Sequence, residues 1–187
     1  MKQNQFLEVI DRDEAERRFR EGISARPLGE EFVNLEVLRG RVLSRDIRSD
    51  VDVPGFDRSN MDGFAVLASD TFGASEEKPV RLQLNKETIP TGVMPREEVV
   101  PGRATMIATG GMLPRGADAV VPVEMTDIED QPGGEQVVVV RGARVPGAAL
   151  SFAGTDMGRG ETVLFSGTRL TSRETGLLAA IGRDAVL

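Results

Sequence analysis

The N-terminal part of the chain combines apolar and charged residues with a helical period. Between residues 11 and 23 the apolar positions recur every fourth residue, and they are Ala15, Phe19 and Ile23. Asp11 precedes this stretch and Glu14 follows three positions later, which is the pattern of a capping box. We therefore predict a helix over 11–23 that is ended by Pro27 and Gly29.

A second, shorter helix is predicted over 34–43. Leu35, Leu38 and Val42 recur at helical spacing and would face the core. Gly40 lies inside this stretch and weakens a helix by about 1 kcal/mol relative to Ala.

From Phe64 onward the pattern changes to short apolar runs that are typical of strands, each bounded by Gly, Pro, Asp or Asn. The predicted strands cover residues 64–67, 80–84, 105–109, 119–125 and 137–141. Pro122 has no backbone N–H to donate, so the fourth strand is expected at an edge or at a bulge. These strands predict a compact β-rich module over about 52–145.

The tail returns to mixed structure, with a predicted strand over 161–165. Thr171 and Glu174 form another capping box, and the helix that they open is expected to end at Gly182. The last five residues, 183–187, have the pattern of a strand that begins there. Together the elements predict an α+β, β-rich fold.

Composition limits the chemistry that this chain can perform. The 187 residues include 40% hydrophobic residues, enough for a core, but no cysteine and no histidine. This excludes disulfides, thiolate nucleophiles, the usual zinc sites and histidine-based triads. A metal would be held by oxygen, which favours magnesium or calcium, and a general acid or base would be Asp, Glu, Lys or water.

The charge balance argues against some partners. The net charge is −7, and neither Trp nor Tyr occurs, so we expect no nucleic-acid partner. The N-terminus lacks the apolar run of a signal peptide, and no stretch approaches the ~20 apolar residues of a membrane span. We therefore expect no membrane partner and a cytoplasmic location.

The densest set of polar groups lies in residues 54–66, which read Pro-Gly-Phe-Asp-Arg-Ser-Asn-Met-Asp-Gly-Phe-Ala-Val. Asp, Ser, Asn and Gly are common turn formers, so an ordinary surface turn is the simplest interpretation of these residues alone. An EF-hand is excluded, because Met61 would occupy a ligand position and Asp62 the position of the required glycine. A loop so rich in oxygen atoms can still organise a metal or a polar substrate.

A second motif, Met-Ile-Ala-Thr-Gly-Gly-Met-Leu-Pro, covers residues 106–114. Backbone N–H groups at such a Thr-Gly-Gly turn can receive an anion, although a plain hairpin turn is the commoner outcome. It is not a P-loop, because Ala117 and Asp118 stand where Lys and Ser or Thr are needed.

Both segments resemble the molybdopterin molybdenumtransferase family, which includes MoeA and the gephyrin E domain. The family pattern is roughly Pro-Gly-Phe-Asp-x-Ser-x-Met-Asp-Gly-Tyr-Ala-Val, from which Phe64 departs. A Met-Thr-Gly-Ala motif and a Pro-x-Gly-Ala-Asp-Ala-Val-Val segment follow, matched here by Ala-Thr-Gly-Gly and by Pro-Arg-Gly-Ala-Asp-Ala-Val-Val-Pro-Val-Glu at 114–124.

The resemblance implies a domain arrangement. Residues 1–51 and 146–187 would form one elongated, discontinuous N-terminal domain, and residues 52–145 a β-rich domain inserted into it. In the family, a pterin-binding domain and a small C-terminal β domain would follow. The chain would then cover less than half of a typical member, as a shortened or naturally reduced protein.

The resemblance also implies a function, the last step of molybdenum cofactor synthesis. Molybdenum from molybdate is inserted into adenylylated molybdopterin with Mg²⁺, and AMP is released. The catalytic residues would be Asp62, Thr109 and Asp156, with Asp62 and Asp156 as metal ligands. Substrate contacts would come from Ser59, Gly110 and Glu124. Asp57 is expected to brace the loop.

Family members are homodimers, and their cleft lies between the β module of one subunit and the pterin-binding domain of the other. The resemblance therefore implies self-association, and it adds the molybdopterin adenylyltransferase as a partner. A chain that supplies one wall of the cleft is expected to be inactive by itself.

One segment departs from the family, which has an arginine-rich stretch ending in Gly-Glu-Asp. Here residues 150–156 read Leu-Ser-Phe-Ala-Gly-Thr-Asp, without any arginine. Arginines would suit an anionic substrate, because the guanidinium fork pairs with phosphate or molybdate oxygens. Three alternatives therefore stay open: a non-catalytic binding or scaffold module, a divergent paralogue with another ligand, or a structural domain pair whose acids are idle.

Overall fold

The computed structural model describes residues 10–24, 26 and 28–187. Its α-helices are α1 (Arg12–Gly22) and α2 (Ser172–Ala180). Its strands are β1 (Val33–Asn34), β2 (Ile47–Arg48), β3 (Arg58–Ser59), β4 (Gly63–Val66), β5 (Val80–Ile89), β6 (Arg103–Ile107), β7 (Ala119–Pro122), β8 (Thr126–Asp130), β9 (Gln136–Val140), β10 (Leu150–Ser151), β11 (Thr162–Leu164) and β12 (Ala185–Val186).

Six strands form one sheet in the order β7-β4-β6-β5-β9-β8. All neighbours are antiparallel except β5 and β6, which run parallel. All four residues of β4 are buried, because both faces of the sheet are covered near its centre. Phe64 and Val66 pack into one apolar cluster while Ala65 packs into another, as the alternation of side chains along a strand requires.

The edges of this sheet are β7 and β8. Pro122 ends the edge strand β7, so the predicted edge position is confirmed. A short 3₁₀ turn over Val123–Met125 follows, and the strand is therefore shorter than the predicted 119–125. The sequence pattern missed β8, whose residues Thr-Asp-Ile-Glu-Asp are mostly polar because they lie along the other edge.

Three short antiparallel pairs join segments that precede the sheet to segments that follow it. They are β1 with β12, β2 with β11, and β3 with β10. A separate apolar cluster lies among the first two pairs, and its buried members are Leu38, Leu43, Leu164, Leu170, Leu178, Ile181 and Val186. The predicted α+β, β-rich fold is confirmed, while the domain boundaries near residues 51 and 146 stay a prediction.

Helix α1 confirms the first predicted helix. The Asp11 carboxylate accepts the Glu14 N–H at 2.8 Å, as the capping pattern indicates. None of the helix residues is buried, and Phe19 is 67% exposed, so the predicted apolar face has no partner among the described residues. The helix ends at Gly22, and Pro27 lies outside the described residues.

The helix predicted over 34–43 is wrong. Only Leu35–Val37 forms a single 3₁₀ turn, and Gly40 takes a positive φ of 88°. The backbone N–H of Gly40 donates to the Leu170 carbonyl at 2.8 Å, and that of Leu43 donates to Thr168 at 2.9 Å. Backbone bonds to the returning chain replace the helical ones.

Helix α2 confirms the second capping box. The Glu174 carboxylate accepts the N–H of Thr171 and also its hydroxyl, and the helix ends before Gly182, whose φ is 72°. Leu178 is fully buried and packs the helix against the apolar cluster that also contains Leu38 and Leu43. The predicted strand over 161–165 is observed as β11.

Neither helix in the described ranges has the length and apolar character needed to cross a membrane.

Candidate functional site

Three sequence motifs meet at β3. Leu150 and Ser151 pair with this strand on one side. On its other side Ser59 donates its N–H to the Gly111 carbonyl at 3.0 Å and accepts the N–H of Gly110 at 2.8 Å. The oxygen-rich loop, the Thr-Gly-Gly turn and the 150–156 segment, far apart in sequence, therefore form one surface.

Asp62 and Thr109 make the central polar contact of this surface. Asp62 Oδ1 accepts the backbone N–H of Thr109 at 2.7 Å and the Thr109 hydroxyl at 2.9 Å. These bonds, the backbone N–H first and the hydroxyl second, lower the pKa of Asp62 below its ordinary value. Asp62 Oδ2 has no hydrogen-bond partner among the described residues, so the site presents an ionised carboxylate with one free oxygen.

Gly63 fixes the position of Asp62. A Cβ atom at residue 63 would lie 2.1 Å from the Val121 carbonyl oxygen, so only glycine lets β4 approach β7 this closely. The Val123 N–H also donates to the Asp62 carbonyl at 3.1 Å. Glu124 follows Val123 and is exposed, which places this predicted substrate contact at the same end of the sheet.

The Thr-Gly-Gly turn is not an anion receptor, because its N–H groups are already donated within the protein. Thr109 donates to Asp62, Gly110 to the Ser59 carbonyl and Gly111 to the Ala108 carbonyl. Gly110 takes a positive φ of 78°, which suits glycine. The predicted substrate contact of Gly110 can therefore not use its N–H; this residue keeps the turn compact beside the carboxylate.

Ser59 lies below the surface rather than on it. Its side chain is only 1% exposed, and its hydroxyl donates to the Met61 carbonyl at 2.5 Å and accepts the Met61 N–H at 3.2 Å. In this conformation the hydroxyl holds the turn that leads to Asp62. The predicted substrate contact would require that pair of bonds to break.

Asp156 is exposed and lies beside the start of the loop, where its N–H donates to the Val53 carbonyl at 3.0 Å. Its carboxylate shares no hydrogen-bond partner with Asp62 within the described part of the chain. The neighbouring Asp57 braces the loop as expected, because its Oδ1 accepts the Ala153 N–H at 2.8 Å.

A preformed metal centre is not present in the described ranges, where no three acidic side chains converge. Magnesium is commonly held by one or two carboxylates together with substrate phosphates and water. The free oxygen of Asp62 fits a shared site of that kind as a single protein ligand. The predicted second ligand, Asp156, receives no support from a contact with Asp62.

Two polar residues on this surface were missed by the motif analysis. Asn60 accepts the Ser151 hydroxyl at 2.6 Å through Oδ1, and Arg58 stands directly opposite Ser151 across the strand pair. In a strand, residues 58 and 60 would lie on the same side, and this alternation could have indicated that Arg58 and Asn60 share a face. The regular strand covers only two residues, so the alternation is too short to recognise in the sequence.

The fold and the site define a class of protein, namely an α+β, β-rich structure that presents an ionised carboxylate where three loop segments meet. This chain belongs to the MoeA family: residues 10–182 match the family model described as the MoeA N-terminal region (domain I and II). The molybdopterin molybdenumtransferase of Bacillus subtilis (strain 168) is 41% identical over 156 residues, covering 83% of this chain and 36% of the relative.

A second relative, molybdopterin molybdenumtransferase 2 of Mycobacterium tuberculosis (strain ATCC 25618 / H37Rv), is 41% identical over 150 residues, covering 80% of this chain and 36% of that protein. Among solved structures, a molybdopterin biosynthesis MoeA protein from Pyrococcus horikoshii is similar with a TM-score of 0.80 and 36% identity. That match covers 92% of this chain and 42% of the other. The chain thus spans little more than a third of the length of these curated relatives.

Proposed function

We propose that this chain forms one wall of a site that inserts molybdenum from molybdate into adenylylated molybdopterin with release of AMP. Family membership and the names of the two curated relatives support this reaction. The observation that carries the proposal is the contact between Asp62 and Thr109. It joins the two motifs on which the resemblance rests, and it leaves one carboxylate oxygen open.

The lowered pKa of Asp62 selects among the roles that a carboxylate can take. A group that stays ionised at neutral pH is a poor general acid, and its weak basicity makes it a poor general base. Holding a cation, or orienting a polar substrate, needs only the negative charge. Asp62 therefore acts by charge and position, and Thr109 acts by holding the carboxylate in place.

Magnesium, when bound, would be held by Asp62 Oδ2 and would offset the negative charge of the phosphoanhydride. Asp156 remains a proposed second ligand or catalytic residue, and Glu124 a proposed substrate contact. Ser59 and Gly110 shape the loop and the turn in this proposal. Self-association, contact with the molybdopterin adenylyltransferase and a cytoplasmic location belong to the same proposal.

A chimeric enzyme tests this function. The chain would replace the matching N-terminal part of the Bacillus subtilis relative, and AMP release from adenylylated molybdopterin would be measured with molybdate and magnesium. We expect molybdate-dependent release that falls by roughly 100-fold in Asp62→Asn, by analogy with the loss of one electrostatic contact in other active sites. The isolated chain should release no AMP.

Asp130→Asn is the matched control, because Asp130 ends the edge strand β8 and lies outside the three motifs. It should leave AMP release unchanged. A chimera whose activity is the same with Asp62→Asn and Asp130→Asn would refute the assigned role of Asp62.

A non-catalytic binding module is the second candidate, and the missing arginines at 151–153 favour it. If the chain is such a module, we expect that the chimera folds correctly but releases no AMP, and that the chain itself binds a protein partner.

A further inference from the structure

The strand pair β3–β10 has one buried face and one open face. Ser59 and Leu150 are opposite one another and are 1% and 9% exposed, which defines the buried face. Arg58 and Ser151 are the other opposed pair, and side chains of directly opposed residues lie on the same side. Arg58 and Ser151 therefore share the open face. Met112 bridges to Arg58 from the other side of β3.

Asn60 extends this open face. It lies two positions after Arg58, and its Oδ1 accepts the Ser151 hydroxyl at 2.6 Å. Because this bond occupies the amide oxygen, it turns the amide nitrogen of Asn60 away from Ser151. That nitrogen donates to none of the described residues, and Asn60 is exposed, so its two hydrogens are available to a ligand.

Arg58 has no acidic partner within 4.0 Å and no side-chain hydrogen bond among the described residues. Arg141 and Arg183 pair with carboxylates at 2.5 Å, whereas several exposed arginines lack an acidic partner as Arg58 does. Arg58 is also half-buried, between Met112 on one side and Ser151 on the other. A guanidinium with five donors in a fixed fork is thus left unpaired on the same face as an amide that also has free donors.

We propose that Arg58 and Asn60 bind a tetrahedral oxyanion, with Ser151 as the residue that orients Asn60. The inference rests on the proposed function, for which it names the group handled at this face: a phosphate of the nucleotide or molybdate itself. The chain carries a net charge of −7, which repels anions, so an anion site on it needs a local positive charge such as that of Arg58. Arg58 supplies, from the opposite strand, the positive charge that Ser151, Phe152 and Ala153 lack.

Titration of the isotope-labelled chain with AMP and, separately, with sodium molybdate tests the proposal by NMR. Amide shifts should concentrate at residues 58–60 and 151, and Arg58→Gln should raise the dissociation constant by about tenfold or more, the equivalent of one charged hydrogen bond. Arg58→Lys should lose less, because it keeps the charge but not the fork. Asn60→Ala should weaken binding less than Arg58→Gln.

Arg39→Gln is the matched control, since Arg39 is exposed and lies outside the three motifs; it should leave the dissociation constant unchanged. A response to AMP alone assigns the face to the nucleotide phosphate, and a response to molybdate alone assigns it to the metal oxyanion. Equal dissociation constants in Arg58→Gln and Arg39→Gln, or no shifts at residues 58–60, would overturn the proposal. Spectral dispersion shows that each variant is folded.

The two proposals fail separately. A chimera without AMP release, combined with anion binding that depends on Arg58, rejects the enzymatic function. It retains the oxyanion face, which is the anion site formed by Arg58, Asn60 and Ser151. An active chimera whose AMP release is insensitive to Arg58→Gln rejects the oxyanion face and retains the function.

Discussion

The same threonine–carboxylate contact occurs in two regions of this molecule. At the start of α2, Glu174 accepts both the N–H and the hydroxyl of Thr171, three residues away. In the loop site, Asp62 accepts both the N–H and the hydroxyl of Thr109, 47 residues away. Both contacts lower the pKa of the acid, that of Glu174 to about 2.

The two contacts differ in their surroundings. Glu174 is only 7% exposed and its helix is fastened by the fully buried Leu178, so the contact mainly stabilises a local element. Asp62 is exposed and joins two loops, so its contact mainly sets the direction of a charged group. One chemical arrangement thus serves folding where it is local and buried, and serves a site where it is long-range and open.

Among the changes that test this comparison of the two regions, glycine-to-alanine substitutions should have the largest effect on the free energy of unfolding. Gly63→Ala forces a Cβ against the Val121 carbonyl, and we expect a loss of about 3 kcal/mol in the free energy of unfolding or failure to fold. Gly176→Ala is the matched control in α2, where a Cβ would meet nothing within 4 Å. It should stabilise the chain by up to about 1 kcal/mol. Urea denaturation measures both, and the same sign for both would contradict this assignment of Gly63.

Removing each threonine side chain should have a smaller effect and should sharpen the comparison. Thr171→Ala is expected to cost about 1 kcal/mol of unfolding free energy, because α2 loses its cap. Thr109→Ala should change stability by less than about 0.5 kcal/mol, as for other exposed positions. In the chimera, however, only Thr109→Ala should reduce AMP release.

Serine at either position keeps a hydroxyl on the same backbone and serves as the control. Both serine variants should stay close to the unmodified protein in stability and in AMP release. A larger stability loss from Thr109→Ala than from Thr171→Ala would invert the comparison.

The pH dependence should show the smallest effect. A folded-state pKa that is depressed stabilises the protein above the unfolded value, and this contribution is lost as pH falls through the folded value. For Glu174 the loss should occur between pH 4.5 and about 2. The difference in stability between the unmodified chain and Glu174→Gln should therefore be largest above pH 4.5 and should decline towards pH 2.

Asp62→Asn should show a change of the same sign but a smaller one, because Asp62 is exposed and solvent screens its contacts. Denaturant titrations at several pH values measure both differences. A difference for Glu174→Gln that grows on acidification would contradict the direction of its pKa shift.

Local signals explain which elements could be predicted. The capping patterns at Asp11 and Thr171 lie within four residues, and both helices form where they indicate. The stretch over 34–43 has helical spacing too, but its N–H groups bond to the Asp184, Leu170 and Thr168 carbonyls, which no local pattern reveals. Tertiary backbone bonds prevailed there over a marginal helix that contains a glycine.

The candidate site divides in the same way. The motifs named Asp62 and Thr109 individually, but their contact across 47 residues follows only from the pairing of β4 with β6. The N–H of Gly110 is donated to the Ser59 carbonyl in β3, which the motif did not indicate, and the predicted substrate contact of Gly110 stays a prediction that cannot use this N–H. Arg58 was not singled out from the sequence, because its proposed role depends on its position across from Ser151, which the sequence alone does not show.

The nesting of the strand pairs described above allows the central sheet to form before these pairs close. β3 pairs with β10, β2 with β11 and β1 with β12. Each of the first three strands can therefore pair only after its later partner strand has been synthesised. The six-stranded sheet lies inside all three pairs and needs only residues between Gly63 and Val140. As the chain leaves the ribosome, the sheet can therefore assemble first, and its closure shortens the loops that the outer pairs must close. The face with Arg58 and Ser151, which belongs to the innermost of those pairs, would then be complete before β1 pairs with β12.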